Sequence, residues 1–223
     1  YGACSLYANT TGANNVAVGH NSMACNTCGD LNTAVGVQSL YCNTTGCRNT
    51  ASGFYAARKN TTGSFNTAHG IFTLESNTAG CQNVAVGYKA LCKATGTGST
   101  AIGGSAGQAI TSGGGNTTVG FQSQMATTTG NHNTSIGNGS LRANTTGNKN
   151  TASGVYALQC NTTGSCNAAF GMNALRLSTT AGLNVAVGAH AMCANTTGCK
   201  NVAVGACSLA ANISGQRATA VGY

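Results

Sequence analysis

Polar and apolar positions along this chain recur with a period of 17 residues. The unit is plain at Asn32-Thr33-Ala34-Val35-Gly36 and returns at Asn49-Thr50-Ala51-Ser52-Gly53, Asn83-Val84-Ala85-Val86-Gly87, Asn150-Thr151-Ala152-Ser153-Gly154 and Asn201-Val202-Ala203-Val204-Gly205. Its closing glycine falls at 2, 19, 36, 53, 70, 87, 103, 120, 137, 154, 171, 188, 205 and 222, so every interval is 17 residues except the 16 between 87 and 103. A fixed period held from end to end is the signature of a solenoid, whose repeats bury their apolar face only by stacking on one another. The expectation is an all-β, single-chain parallel β-solenoid (β-roll) of 13 coils, one domain over residues 1–223 with an irregular coil around 94–115. At the strand spacing of ~4.8 Å such a stack would be roughly 60 Å long.

The columns of the repeat predict which side chains point inward. The first position is Asn in 11 of 13 coils, and the third is Ala in 11 of 13, with Thr118 and Ser135 as small substitutes. Between them stands Thr or Val in 12 of 13, and after Ala comes Val or Ile in 9 of 13, with Ser52, His69, Ser153 and Phe170 as exceptions. Side chains alternate faces along a strand. If Asn and Ala point in, then Thr33 and Val35 and their equivalents point out. A second column holds Leu or Met in 10 of 13 coils, after a small residue, and reads as a thin core. Asn-Thr-Thr-Gly reads as a turn, with Gly for positive φ and Asn bonding its own backbone. Inward asparagines should form ladders along the stack. Between Gly96 and Gly115 one residue is lost, Leu is absent and glycines accumulate; no Gly-Lys-Ser/Thr follows, so this is not a phosphate loop.

Composition changes the picture in two ways. Only 12 residues carry formal charge, 10 of them basic, and the acids are Asp30 and Glu75 alone. The cations, such as Arg48, Lys59, Lys93, Lys149 and Lys200, are scattered rather than gathered in a stripe with aromatics, which argues against nucleic acid as a partner. No apolar run reaches the ~18 residues of a membrane span, so no membrane insertion is expected. Pro is absent, as a ladder that uses every backbone N–H requires. The second feature is 12 cysteines, which suggest an oxidising, extracellular setting and a disulfide-stapled rod. Candidate staples across one turn are Cys42 with Cys47, Cys160 with Cys166, Cys193 with Cys199 and Cys25 with Cys28. The rival pairing is vertical, Cys25 with Cys42 one coil on. Zinc is weakly signalled by a single Cys-x-x-Cys, and no metal or other cofactor is expected. The start at Tyr1 in mid-repeat fits a mature or excised product whose export signal is gone.

The runs Asn83-Val84-Ala85-Val86-Gly87 and Ser99-Thr100-Ala101-Ile102-Gly103 resemble the head repeats of trimeric autotransporter adhesins. The longer unit with Asn-Thr-Thr-Gly looks like repeats of bacterial surface proteins and viral tail fibres. Across nearly all of the chain this resemblance implies a left-handed parallel β-roll whose outward Val/Ile face meets two sister chains. The chain departs from those adhesins in its cysteines and in lacking a coiled-coil stalk, anchor or chaperone domain. Asn116-Thr117-Thr118-Val119-Gly120 and Asn133-Thr134-Ser135-Ile136-Gly137 also resemble the Asn-x-Val-x-Gly unit of grass-type antifreeze β-rolls, with a smaller central residue.

Catalysis is not expected. Asp30 and Glu75 stand at different phases, and His20, His69, His132 and His190 fall in different columns without an acid to orient them. The outward face, by contrast, carries no charged residue in either column over all 13 coils. A large uncharged patch marks an interaction site. Its expected partner is an ice surface or ordered water, centred on Thr100, Ile102, Thr117, Val119, Thr134, Ile136 and Thr151, with Thr33, Val35, Thr50 and Thr67 as a second run. The alternative is a homotrimer, an adhesin or fibre segment that uses the same face for self-association.

Overall fold

The computed structural model describes residues 2–223. Each coil contributes one strand of three residues. These are β1 (Val16–Val18), β2 (Thr33–Val35), β3 (Thr50–Ser52), β4 (Thr67–His69), β5 (Val84–Val86), β6 (Thr100–Ile102), β7 (Thr117–Val119), β8 (Thr134–Ile136), β9 (Thr151–Ser153), β10 (Ala168–Phe170), β11 (Val185–Val187), β12 (Val202–Val204) and β13 (Thr219–Val221). The all-β solenoid implied by the period is what forms. The chain divides into two compact units, Tyr1–Gly114 and Gly115–Tyr223, with the division inside the glycine-rich stretch. β1–β6 belong to the first unit and β7–β13 to the second. Within each unit consecutive strands pair parallel and in register, as in Thr33↔Thr50, Ala34↔Ala51 and Val35↔Ser52, or Thr117↔Thr134 and Val119↔Ile136.

The interior is thin and half polar. In the first unit it gathers the strand alanines (Ala34, Ala51, Ala68, Ala85) with Met23, Leu40, Leu74 and Leu91. In the second, Leu141, Leu158, Leu175 and Met192 pack on Ala152, Ala169, Ala186 and Ala203. Alongside them run two ladders of buried asparagine. In one, Asn43 Nδ2 donates to Asn26 Oδ1 at 2.8 Å and to Gly46 O at 2.9 Å, and Asn60 repeats both bonds one coil on. In the other, the backbone N–H of Asn49 donates to Asn32 Oδ1 at 2.9 Å, while Asn49 Nδ2 donates to Asn32 Oδ1 and Gly63 O. One side chain thus satisfies amides of its own coil and of its neighbour, which a chain with so little apolar area to bury requires.

The glycine of Asn-Thr-Thr-Gly proves to serve close approach rather than positive φ. A Cβ on Gly46 would lie 2.4 Å from Gly63 O and 2.5 Å from Asn43 Oδ1. The left-handed positions fall elsewhere, on residues with side chains: Gln38 (φ 53), Leu40 (φ 49) and Arg48 (φ 56) within one coil. Such a conformation costs an L-residue roughly 1–2 kcal/mol. It persists because the backbone is tied to the coils on both sides, with Gln38 N donating to His20 O of the preceding coil and Leu40 N to Ala56 O of the next, both at 3.0 Å.

The first ladder is broken at Ala94, Ile110, Thr127 and Ser178, and the last of these shows its rule. Here the turn reads Ser178-Thr179-Thr180-Ala181, Ser178 Oγ and Asn161 Oδ1 are buried without partners, and Asn195 Nδ2 donates only to Gly198 O. By the repeat, the Cβ of Ala181 takes the space that an Asn amide oxygen at 178 would need, so the shorter Ser accompanies the added methyl. The double variant Ser178→Asn/Ala181→Gly should restore two rungs and stabilise the fold by roughly 1–3 kcal/mol. Ser178→Asn alone should gain less than the double variant, and equilibrium denaturation of the four proteins in the cycle reads the coupling directly. Additive effects would contradict the steric rule.

Candidate functional site

The strand columns place their side chains as alternation requires. Ala34, Ala68 and Ala152 are buried, while their neighbours face solvent. Thr50 and Thr67 are exposed, and Thr33, Thr100, Thr117, Thr134 and Thr151 are half-buried by their neighbours in the ladder. In the following column Val35, Ile102 and Ile136 are about 40–45% exposed, and Val119 is half-buried. The division of the chain runs through the longer threonine run. Thr100 and Ile102 lie on β6 of the first unit, whereas Thr117, Val119, Thr134, Ile136 and Thr151 lie together on β7–β9 of the second. Thr33, Thr50 and Thr67 are consecutive on β2–β4.

A third column joins this face that the repeat alone does not reveal. The residue after the strand glycine is large, apolar and exposed in many coils: Val37, Phe54, Ile71 and Tyr88 in the first unit, Phe121, Val155 and Met172 in the second. Like the two strand columns it contains no Lys, Arg, Asp or Glu. The signal was legible in principle, since Val, Phe, Ile and Tyr recur at one phase, but mixed with His20, Gly104 and Asn138 it passes for a variable position. In the first unit the column continues into an aromatic cluster. Phe54 stacks on Tyr55 with ring centroids 3.9 Å apart, and Phe72 meets both edge-on at 5.6 and 5.7 Å. Arg58 lies 4.4 Å over the Tyr55 ring and Lys89 5.1 Å over that of Tyr88, so cations reach the aromatic side of the third column.

The turn threonines have unequal roles. The first of each pair bonds the next coil, as Thr145 Oγ1 does to Thr162 O at 3.0 Å and Thr44 Oγ1 to Thr61 O at 3.1 Å. The second, such as Thr146, is exposed. The acids are likewise used in the framework. Asp30 Oδ1 accepts the backbone N–H of Ala13 at 2.7 Å, and Glu75 Oε2 accepts from Cys92 Sγ at 3.7 Å. Among the described residues no three His, Cys, Asp or Glu side chains come together as a metal site, and no helix is long and apolar enough to cross a membrane.

None of the twelve cysteines is bonded to another. The staples expected of Cys42 with Cys47, Cys160 with Cys166, Cys193 with Cys199 and Cys25 with Cys28 are not formed in this structure. Cys47, Cys81 and Cys199 occupy a hydrogen-bonding column shared with Ser64 and Ser165. The N–H of Asp30 donates to Cys47 Sγ, and Cys47 Sγ donates to Thr45 O, both at 3.3 Å. Ser64 makes the same two bonds in the next coil. These thiols therefore act as hydroxyl equivalents. Cys42 precedes the buried Asn43 and Cys47 follows Gly46, with the Asn43–Gly46 bond between them. Cys25 and Cys42, the vertical pair, are likewise unbonded.

The family models and the curated proteins contain no match to this chain.

The thiols differ in environment, and their chemistry should follow. Burial raises the Cys42 pKa, the neighbouring Cys25 adding to it, and burial followed by Glu75 raises that of Cys92. The exposed Cys28 is held below the ordinary thiol value by hydrogen bonds with Thr11 and Thr27. Thiolate is the reactive form. Denatured protein without reductant should titrate as 12 thiols. In native protein at mildly alkaline pH, iodoacetamide followed by peptide mass spectrometry should find Cys28 modified well before Cys42 and Cys92; the reverse order would contradict these environments.

Proposed function

We propose that the chain is an ice-binding protein that presents the uncharged outward columns of its solenoid to ice or ordered water, at an extracellular ice front. The observation that carries the reading is the in-register ladder itself. Thr117, Thr134 and Thr151 repeat at one strand spacing, and so do Thr33, Thr50 and Thr67. Such an array offers alternating methyl and hydroxyl groups at fixed intervals. The buried asparagine ladders behind it hold the backbone still, the part that disulfides were expected to play. Every charged side chain lies in other columns, so no solvated, mobile cation interrupts the array.

A second reading, self-association as an adhesin or fibre segment, is favoured by one specific observation. The third column protrudes: Phe121 is 55% exposed, Tyr88 52% and Met172 49%. Large apolar side chains beside a flat ladder suit burial against another copy of the chain better than contact with a planar lattice.

Thermal hysteresis and ice-crystal shaping of the wild type, Thr134→Lys and Thr146→Lys test the first reading. Thr134→Lys places a charge in the array and should abolish hysteresis while moving stability by no more than the ~0.5 kcal/mol of an ordinary surface change. Thr146→Lys, on the exposed side of the turn, should leave activity nearly intact. The variant at Thr146 is the better control than one at Thr145, whose hydroxyl holds Thr162 O. Sedimentation should find a monomer. A stable trimer without hysteresis in the wild type would transfer the face to the second reading.

A further inference from the structure

Cys25 and Cys42 are the only two cysteines that occupy the same column on adjacent coils; every other cysteine has a different residue type directly above and below it in its own column. Both are half-buried, and their backbones hold equivalent positions, Cys25 N donating to Tyr41 O at 3.0 Å and Cys42 N to Arg58 O at 2.9 Å. We propose that this pair binds one monovalent d10 metal ion, copper(I), as a two-coordinate bis-thiolate.

The spacing of stacked coils suits a metal bridge. Two metal–sulfur bonds of ~2.3 Å laid end to end span ~4.6 Å, and in-register coils stand ~4.8 Å apart. Soft thiolates select copper(I), zinc or iron–sulfur clusters. With no third Cys, His, Asp or Glu gathered here, the tetrahedral demand of zinc is unmet and a two-coordinate ion is preferred. The next coil supplies the counter-charge. The same column continues to Lys59 with Arg58 beside it, and both favour the ionised form of the Cys42 thiol. On binding, each thiol releases its proton to solvent, two S–H bonds are exchanged for two S–Cu bonds and no electron is transferred. The complex carries one negative charge, next to these two cations. Burial, with the neighbouring Cys25 adding to it, favours the protonated form of Cys42 when no ion is present.

The test is anaerobic titration of the reduced protein against the copper(I)–bicinchoninate complex, limited to the first equivalents, with X-ray absorption of the one-equivalent sample. The wild type should withdraw one equivalent and show two sulfur ligands. Cys25→Ser and Cys42→Ser should each lose that equivalent. Cys160→Ser should keep it, because Cys160 lies in the same column between Ala143 and Leu177, without a cysteine neighbour. Ala143→Cys should gain a second equivalent by rebuilding the stacked pair in the other unit. Circular dichroism of each variant confirms the fold. Retention of the equivalent by Cys25→Ser, a three-sulfur spectrum, or no gain in folded Ala143→Cys would each overturn the proposal.

Discussion

The structure depends on a buried amide that must bond in three directions at once. Most coils offer one Leu or Met and one or two Ala to the interior, too little apolar area to hold so long a backbone against its conformational entropy. The asparagine ladders make up the difference, because an unpaired amide in that interior is costly and a paired one locks two coils together. Asn43, tied to Asn26, to Asn60 and to Gly46, sets the distance between coils and closes its own turn. From that spacing follow the glycines beside it, where a Cβ would strike the amide oxygen. Two failures of the column, at Ala94 and Ser178, leave the oxygens of Asn77 and Asn161 buried and unpaired.

Much of this was legible from the period. The inward Asn, the small strand residue, the Leu core and the outward Thr and Val all follow from a column tolerating one kind of side chain. What was not legible has physical reasons. Gly46 looks like a positive-φ turn residue in sequence, whereas steric exclusion at its Cβ is visible only once the next coil is in place. Leu40 and Leu74 carry no mark of a left-handed conformation, since the strain is imposed by tertiary bonds that no local pattern encodes. Cysteine was the most misleading residue. Its number points to cross-links, yet Cys47 stands where Ser64 stands, and the property in use is hydrogen bonding. The aromatic cluster around Phe54 and Phe72 was hidden for a related reason: its members come from neighbouring phases of successive coils, which a reading by single columns separates.

The proposed site inherits its geometry from the interior. A regular array at the surface requires that successive coils be equivalent, and the ladders make them so within each unit. Irregularities on the face, His69 on β4 and Phe170 on β10, leave the buried Ala68 and Ala169 unaltered, so the framework accepts changes in what the face displays. The three uncharged columns and the charged turns are thus separate parts of one repeat. The first presents a surface, the second surrounds it with solvated groups, and the stacked thiols of Cys25 and Cys42 lie outside both strand columns.

The claim that the amide ladders carry the fold is tested most directly by hydrogen exchange at the asparagine side chains. In a two-dimensional 15N spectrum, the Nδ2 protons of Asn43, Asn49, Asn60, Asn133 and Asn150 should exchange as slowly as the strand amides, with protection approaching that of global unfolding. The half-exposed Asn131 and Asn148 amides should exchange far faster. If the side-chain protons of the buried set exchange at the rate of Asn131 while the strand amides stay protected, the backbone ladder alone holds the coils and the asparagines are passengers.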